Sequence, residues 1–413
     1  MSEIILIQVS GMDRPGITVT LTEVLAQYDI DILDIGQSVI HDTLSLGMLV
    51  EVPTEANACP VFRDLLFRAH ELDLNIRFKP VADDAYEHWV AEQGRHKHIV
   101  TLLGRTIRAE HIARVSGIVA AQGLNIDHIT RLSGRISRRA DADPTRQKEC
   151  IELTLSGPVA DLPTLHAGFL SLAQATDVDI AFQEDDIFRR NRRLVCFDMD
   201  STLIQCEVID ELALEAGVGP QVAAITEAAM RGEIDFKESF RRRLALLEGM
   251  DESVLAKVAD RLPITEGAER LICNLRKLGY KVAILSGGFT YFAEHLQRRF
   301  GVDYVHANQL DFVNGKLTGK IKGEVVDGAR KAALLREIAE REGVRLEQVI
   351  AVGDGANDLP MLSIAGLGIA FHAKPIVKAQ ARQSIATVGL DGVLYLLGMR
   401  DWEVDKLARN PTD

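Results

Sequence analysis

The sequence predicts a doubly wound α/β domain with a parallel sheet and a helical cap, preceded by two βαββαβ domains of the ferredoxin-like class. Three observations carry that expectation. The first 184 residues run twice through the order strand, helix, strand, strand, helix, strand, at an offset of about 93 residues, as a tandem duplication does. From Arg192 onward, apolar runs alternate with amphipathic helices and stop on polar residues, the pattern of parallel strands covered on both faces. Between the first two of those strands, residues 207–262 read as four consecutive helices. The expected domains are 1–82, 95–184 and 190–398, with the cap at about 207–262 and a tail over 399–413.

Composition bounds the function. The 413 residues are 47% hydrophobic and 26% charged, a globular profile sufficient for two or three domains. A net charge of −13 argues against non-specific binding to nucleic acid. The start "MSEIILIQVSG" lacks a basic n-region, and no stretch stays apolar over the ~18 residues a membrane span requires. A cytoplasmic protein without membrane partners is expected. Five cysteines (Cys59, Cys150, Cys196, Cys206, Cys273) form no C-x-x-C pair and read as reduced thiols.

The first repeat is carried by "EIILIQVSGMDRPGITVTLTEVLAQYDIDILDI", "LSLGMLVEVP", "VFRDLLFRAHELDL" and "NIRFKPV". The second is carried by "KHIVTLLGRTIRAEHIARVSGIVAAQGLNIDHI", "ECIELTLSGPV", "LPTLHAGFLSLAQATD" and "VDIAFQ". Val24/Leu25 and Ile118/Val119 stand at helical spacing from earlier apolar residues in each copy. The polar segment Asp83 to Gly94 is expected to link the copies. His88, His96 and His98 have no cysteine or carboxylate at ligand spacing and read as solvated linker and strand-entry residues. The insertion "SGRISRRADADPTRQKE" reads as a solvated hairpin tip. This pattern resembles the ACT domain, a small regulatory fold that binds amino acids and pairs between chains. The resemblance implies an amino-acid effector, most naturally serine, and a homodimer. In the first copy it rests on "GMDRPGI", where Asp13 offers an acceptor and Gly16 lets a ligand approach backbone at a helix N-terminus. The alternative is that Asp13 caps the helix and Gly16 only makes a turn. The second copy reads "GRTIRAE" there, but keeps "GLNID", whose Asn125 matches the position that reaches a ligand held by a partner's loop.

In the second half, "RRLVCFDMD", "YKVAILSGG", "EQVIAVGDG" and "AGLGIAF" are the expected parallel strands. The first ends on Asp198 and Asp200. At about 4 Å and an effective dielectric near 20, two carboxylates repel by roughly 4 kcal/mol, so one holds a proton or a cation lies between them. Asp198 is placed as a carboxylate nucleophile, and Asp200 as the group that protonates a leaving alkoxide. Asp354 and Asp358, at another strand end, add hard oxygen donors that suit Mg²⁺. Ser286, the Gly287 amide and Lys331 supply the donors a transferring phosphoryl group requires.

"FDMDST", "SGG", Lys331 and "GDGANDLPML" together resemble the four motifs of the haloacid-dehalogenase superfamily, Mg²⁺ phosphohydrolases that form an aspartyl-phosphate. Within it, residues 190–398 are most similar to phosphoserine phosphatases. That resemblance implies Asp198 as nucleophile and Asp200 as acid/base, with the Asp200 carbonyl and Asp354 also on the metal and Asp358 in its outer shell. It implies Ser286, Gly287, Lys331 and Asn357 around the phosphate. In the cap it implies Glu207 for the substrate ammonium, Met230 and Phe236 as apolar pocket residues, and Arg243 for the carboxylate. Arg241 and Arg242 lie on other helix faces and read as solvated. Hydrolysis of phosphoserine, the last step of serine biosynthesis, is the expectation; another small phosphate, or transfer to another alcohol, is the alternative.

Overall fold

A computed structural model describes residues 2–53, 58–92, 96–135, 147–231 and 233–409. The side chains of Met230 and Phe236 and most of the predicted hairpin insertion lie outside that description. The chain divides into two compact units, Met1–Arg95 and His96–Asp413.

In the first unit, β1 (Ser2–Met12), α1 (Ile17–Gln27), β2 (Asp31–Ile40), β3 (Thr43–Pro53), α2 (Ala58–Glu71) and β4 (Leu74–Val81) build an antiparallel sheet in the order β2-β3-β1-β4. Strand β3 shows why: Leu44, Leu46, Met48, Val50 and Val52 alternate onto one face and are buried against Ile17, Leu21, Val24 and Leu25 of α1. Each such burial contributes about 1.5–3 kcal/mol. The segment expected to link the two repeats forms a helix, α3 (Asp83–Glu92), with two aspartates in its first turn and no buried residue.

The second unit opens with the second repeat: β5 (Lys97–Gly104), α4 (Ala109–Ala121), β6 (Asn125–Arg131), β7 (Glu149–Ser156), α5 (Leu162–Ala175) and β8 (Val178–Glu184), in the order β6-β7-β5-β8. The α/β layer follows. Its strands are β9 (Leu194–Phe197), β10 (Lys281–Phe289), β11 (Tyr304–Val313), β12 (Lys316–Lys322), β13 (Val349–Gly353), β14 (Leu367–Phe371) and β15 (Gln383–Ile385). Four cap helices separate β9 from the rest: α6 (Val208–Glu215), α7 (Gly219–Met230), α8 (Phe236–Ala245) and α9 (Ser253–Ala259). The remaining helices are α10 (Ala268–Lys277), α11 (Thr290–Phe300), α12 (Gly328–Arg341), α13 (Leu359–Ile364), α14 (Pro375–Gln380), α15 (Val393–Leu396) and α16 (Asp401–Arg409).

The seven strands order as β12-β11-β10-β9-β13-β14-β15. Fully buried β9 pairs in parallel with β10 on one side and β13 on the other. The strand order therefore reverses at β9, and the crevice beyond its carboxyl end is where such folds bind ligands. The antiparallel hairpin β11–β12 was not anticipated, because the edge strand "KLTGKIK" is too polar to read as a strand.

The second repeat packs onto this layer. Leu103, Leu132, Cys150 and Ala181 join the core that holds Phe197 and Leu390, while Val100 and Leu102 face the helices of their own domain. Oδ2 of Asp179 accepts from the backbone N–H of Ala386 and of Thr387, both at 2.9 Å. The Gln383 side chain exchanges hydrogen bonds with the Phe182 backbone. Lys148 and Arg270 share Asp391, and Arg105 makes a two-toothed pair with Glu266.

At the ends of the insertion Ser133 is buried, Lys148 is anchored on Asp391, and Gly134 and Arg135 are exposed; its tip lies outside the described residues. One expectation changes here: His98 is not solvated, because its ring stacks on Phe182 at 5.1 Å and burial lowers its pKa. The segment after residue 398 folds as α16, which buries Val404 and offers Asp401 and Asp405 to Arg270. Among the described residues the cysteines Cys150, Cys196, Cys206 and Cys273 are unpaired, and no helix is long and apolar enough to cross a membrane.

Candidate active site

Strand β9 stops at Phe197, and the next residue, Asp198, keeps one sheet bond through its N–H to the Val352 carbonyl at 2.9 Å. That bond aims its side chain into the crevice between β9 and β13. Lys331, on the first turn of α12, approaches from behind with its Nζ 2.9 Å from Asp198 Oδ1 and 2.7 Å from Asp358 Oδ1. The other Asp358 oxygen accepts from the Gly355 N–H at 3.0 Å, so both are engaged. Thr202 Oγ1 donates to Asp354 Oδ1 at 3.2 Å. One oxygen each of Asp198, Asp354 and Asp358 lies within 4.8 Å of the others. Asp200 Oδ1 accepts from the Val208 N–H at 3.2 Å, which ties it to the first cap helix.

Charge in this cluster is unbalanced. Four carboxylates, Asp198, Asp200, Asp354 and Asp358, surround one ammonium. Burial, then Asp358 and Asp354, push the Asp198 pKa well up against the pull of Lys331. Burial and the charges of Glu207 and Asp198 do the same to Asp200. Asp354 is pushed up to about 7 by burial and by Asp358. Lys331 moves up despite complete burial, because Asp198 and Asp358 hold its proton. An all-oxygen donor set with excess negative charge fits a hard divalent cation.

The crevice continues into a cavity of about 830 Å³ roofed by the cap. Asp198, Asp200, Glu207, Arg243, Gly287 and Asn357 all line it. Half-buried Arg243 has an Nε that is out of solvent and has no hydrogen-bond partner among the described residues. Glu207 sits at the start of α6 and accepts from the Ser201 hydroxyl at 2.9 Å. Arg241 and Arg242 turn away and pair with Glu238. Ser286 and Lys331 lie behind the wall, fully buried; the Ser286 hydroxyl accepts from the Gly288 N–H at 2.9 Å.

The predicted effector residues sit within the two βαββαβ domains. Asp13 is exposed, its N–H donates to the Asp42 carbonyl at 2.7 Å, and it makes no capping bond to α1. Gly16 takes φ 98°, which favours glycine, and leaves room at its Cα. Asn125 is exposed and donates to Asp127 at 2.9 Å.

Two site residues, Asp327 and Asn308, escaped the sequence reading. Asp327 caps α12 by accepting from the Arg330 N–H and pairs with cap residue Lys237 at 2.9 Å. Its position before "GARKAALL" is a readable cap signal. Asn308, fully buried, donates to the Gly287 carbonyl at 2.7 Å and accepts from the Val326 N–H at 2.8 Å, fixing the "SGG" strand end. No sequence signal marks it. Gly288 is required by space: a Cβ there would lie 2.5 Å from Asp200 Oδ2.

Comparison with known proteins gives the family. Residues 3–79 and 96–183 match ACT-domain models, and residues 195–363 match a haloacid dehalogenase-like hydrolase model. The chain is 42% identical over 402 residues to phosphoserine phosphatase SerB2 of Mycobacterium tuberculosis, covering 97% of this chain and 94% of that protein. It is 40% identical over 402 residues to the phosphoserine phosphatase of Streptomyces coelicolor, covering 97% and 93%. The chain belongs to the phosphoserine phosphatase family. A solved structure described as a probable phosphoserine phosphatase from Vibrio cholerae superposes with a TM-score of 0.57 at 36% identity, over 74% of this chain and 87% of that one. As a member of the phosphoserine phosphatase family the protein is an enzyme, a hydrolase, and its two ACT matches coincide with the two βαββαβ sheets.

Proposed function

We propose that the protein is a Mg²⁺-dependent phosphoserine phosphatase that hydrolyses O-phospho-L-serine to L-serine and phosphate through an aspartyl-phosphate on Asp198. The observation that carries the substrate is the cap side of the cavity. An arginine with an unpartnered buried Nε, Arg243, and a carboxylate, Glu207, line one cavity with Asp198, as a zwitterionic phosphoester requires. Asp198 and Asp354, with the Asp200 carbonyl, would hold the ion, and Asp358 would steady it from outside. When bound, Mg²⁺ supplies positive charge to the phosphoryl oxygens and lets the crowded carboxylates ionise together.

Asp198 Oδ attacks phosphorus in line as the bond to the serine oxygen breaks. Asp200, whose raised pKa keeps a proton available, gives it to that leaving oxygen. Asp200 then takes a proton from water, the water oxygen attacks phosphorus, and the bond to Asp198 breaks. Lys331 fixes Asp198 throughout and adds positive charge behind the reacting centre. The Gly287 amide and Asn357 border the space for the phosphoryl oxygens. The cap covers this space and limits water.

The ACT domains support control by an amino acid, most naturally the product serine, at the open Asp13–Gly16 loop with Asn125 of another copy. The exposed apolar residues Ile32, Ile35, Val39 and Ile40 on edge strand β2 support a homodimer. Phosphate release from phosphoserine, phosphothreonine and a sugar phosphate, with and without Mg²⁺, tests the reading. Comparable rates on the sugar phosphate would sink it.

A further inference from the structure

A second cavity, of about 340 Å³, opens where the second βαββαβ domain meets the α/β layer, between α5 and β8 on one side and α14 and β15 on the other. The chemistry above does not use it. Its lining combines apolar surface, including Phe169 and Phe182 with ring centres 6.2 Å apart, with half-buried Lys378, exposed Arg382 and half-buried His166. The acid on the wall, Asp179, is already spent: its Oδ2 accepts two backbone N–H groups and the Thr387 hydroxyl at 2.7 Å. Among the described residues Lys378 and Arg382 are in no ion pair, although the field of Lys378 reaches Asp179. Burial and Arg382 keep His166 uncharged more readily than a free imidazole, so it adds a neutral hydrogen-bonding edge. Two cations beside aromatic surface, with no unspent acid, make a complement for an anion that carries an apolar body.

Helix α14 is a wall common to both cavities. Ile376 and Val377 line the catalytic cavity, while Lys378 and Ala379 line the junction. The helix has six residues, and its buried side chain, Val377, packs in a small cluster with Ala370 and Ala373, separate from the main cores. An element so short and lightly anchored cannot be pressed on one face without the other responding.

We propose that this junction cavity is a second ligand site, that it takes a small organic carboxylate with an apolar body, and that its occupancy alters turnover through α14. The residues of this site are not those of the Asp13–Gly16 loop, and its ligand differs from serine in needing apolar surface. Binding there is independent of which phosphate ester the enzyme hydrolyses, so this proposal can fail while the proposed reaction stands.

The test uses 4-fluorobenzoate titrated into the intact protein and followed by ¹⁹F NMR. Saturable binding in the millimolar range is expected, as for other small fragments. The double variant Lys378→Glu, Arg382→Glu should lose at least about tenfold in affinity, because both cations become repulsive. Asp198→Asn should bind as well as the wild type. Saturating probe should change kcat/KM in the wild type and leave the double variant unaffected. Circular dichroism and melting of the double variant, together with the milder Lys378→Ala, separate lost binding from lost fold. No saturable binding to the wild type, or equal affinity in the folded double variant, would overturn the site. Binding that is lost in the variant while kcat/KM never moves in the wild type would overturn transmission through α14.

Discussion

Replacing Asp198 by asparagine should abolish turnover and, without metal, make the enzyme more stable. In the fold Asp198 gains the Lys331 ammonium at 2.9 Å, worth about 6 kcal/mol at an effective dielectric near 20. It also faces Asp354 and Asp358, each with an oxygen no farther than 4.8 Å, and at that limit their repulsion totals about 7 kcal/mol. The Coulomb terms nearly cancel, and burial of the charge adds a further cost. Asparagine keeps the shape and removes both penalties. The expected gain is about 1 kcal/mol, a rise of about 2 °C in the melting of the catalytic unit measured by calorimetry in a chelator. In Mg²⁺ the order should reverse, because the wild type gains more from the ion than the variant does. Turnover of phosphoserine should fall by at least about 10⁴-fold. A variant that melts several degrees lower in chelator would show that the lysine pair dominates, and the charge argument would be wrong. Retained turnover would remove Asp198 as nucleophile.

Lys331→Met should act oppositely on stability, costing about 3–5 kcal/mol because two buried carboxylates lose their shared cation, and kcat should drop about 10²–10³-fold; urea melts and initial rates check both. Arg243→Ala should raise KM for phosphoserine about 10- to 100-fold while leaving phosphoethanolamine, which lacks the carboxylate, nearly unchanged. Asp391→Asn should loosen the junction between the second ACT domain and the α/β layer by about 1–3 kcal/mol, since Lys148 and Arg270 lose their shared buried partner and keep Glu266 and the Asp401/Asp405 pair. Those cations hold the Asp391 pKa below its ordinary value. Its contribution is therefore complete above the unfolded carboxylate range near about 4 and disappears as pH falls through the lower folded value. Melting from pH 7 to pH 3 should show the wild type and Asp391→Asn converging at the acid end.

What the sequence determined by itself was local or arithmetical. Alternating Leu44 to Val52 specifies a strand with one buried face, whatever surrounds it. Apolar "LVCF" followed by Asp198 specifies a buried parallel strand with chemistry at its end. The spacing from Asp198 to Ser286, Lys331 and Asp354 could be recognised because each group sits at a strand end or a helix start, where backbone geometry alone delivers it to one edge. The same reasoning missed what depends on partners far along the chain. The edge strand β12 is stabilised by pairing with β11, not by its own composition. Asn308 matters only because Gly287 and Val326 come to it. Only the tertiary structure decided that the second ACT domain shares its core with the catalytic layer and that α14 walls two cavities. The reason is physical: Leu103, Cys150 and Ala181 are buried in one core with Leu390, more than two hundred residues further along, and periodicity along the chain carries no information about what lies on the other side of a sheet.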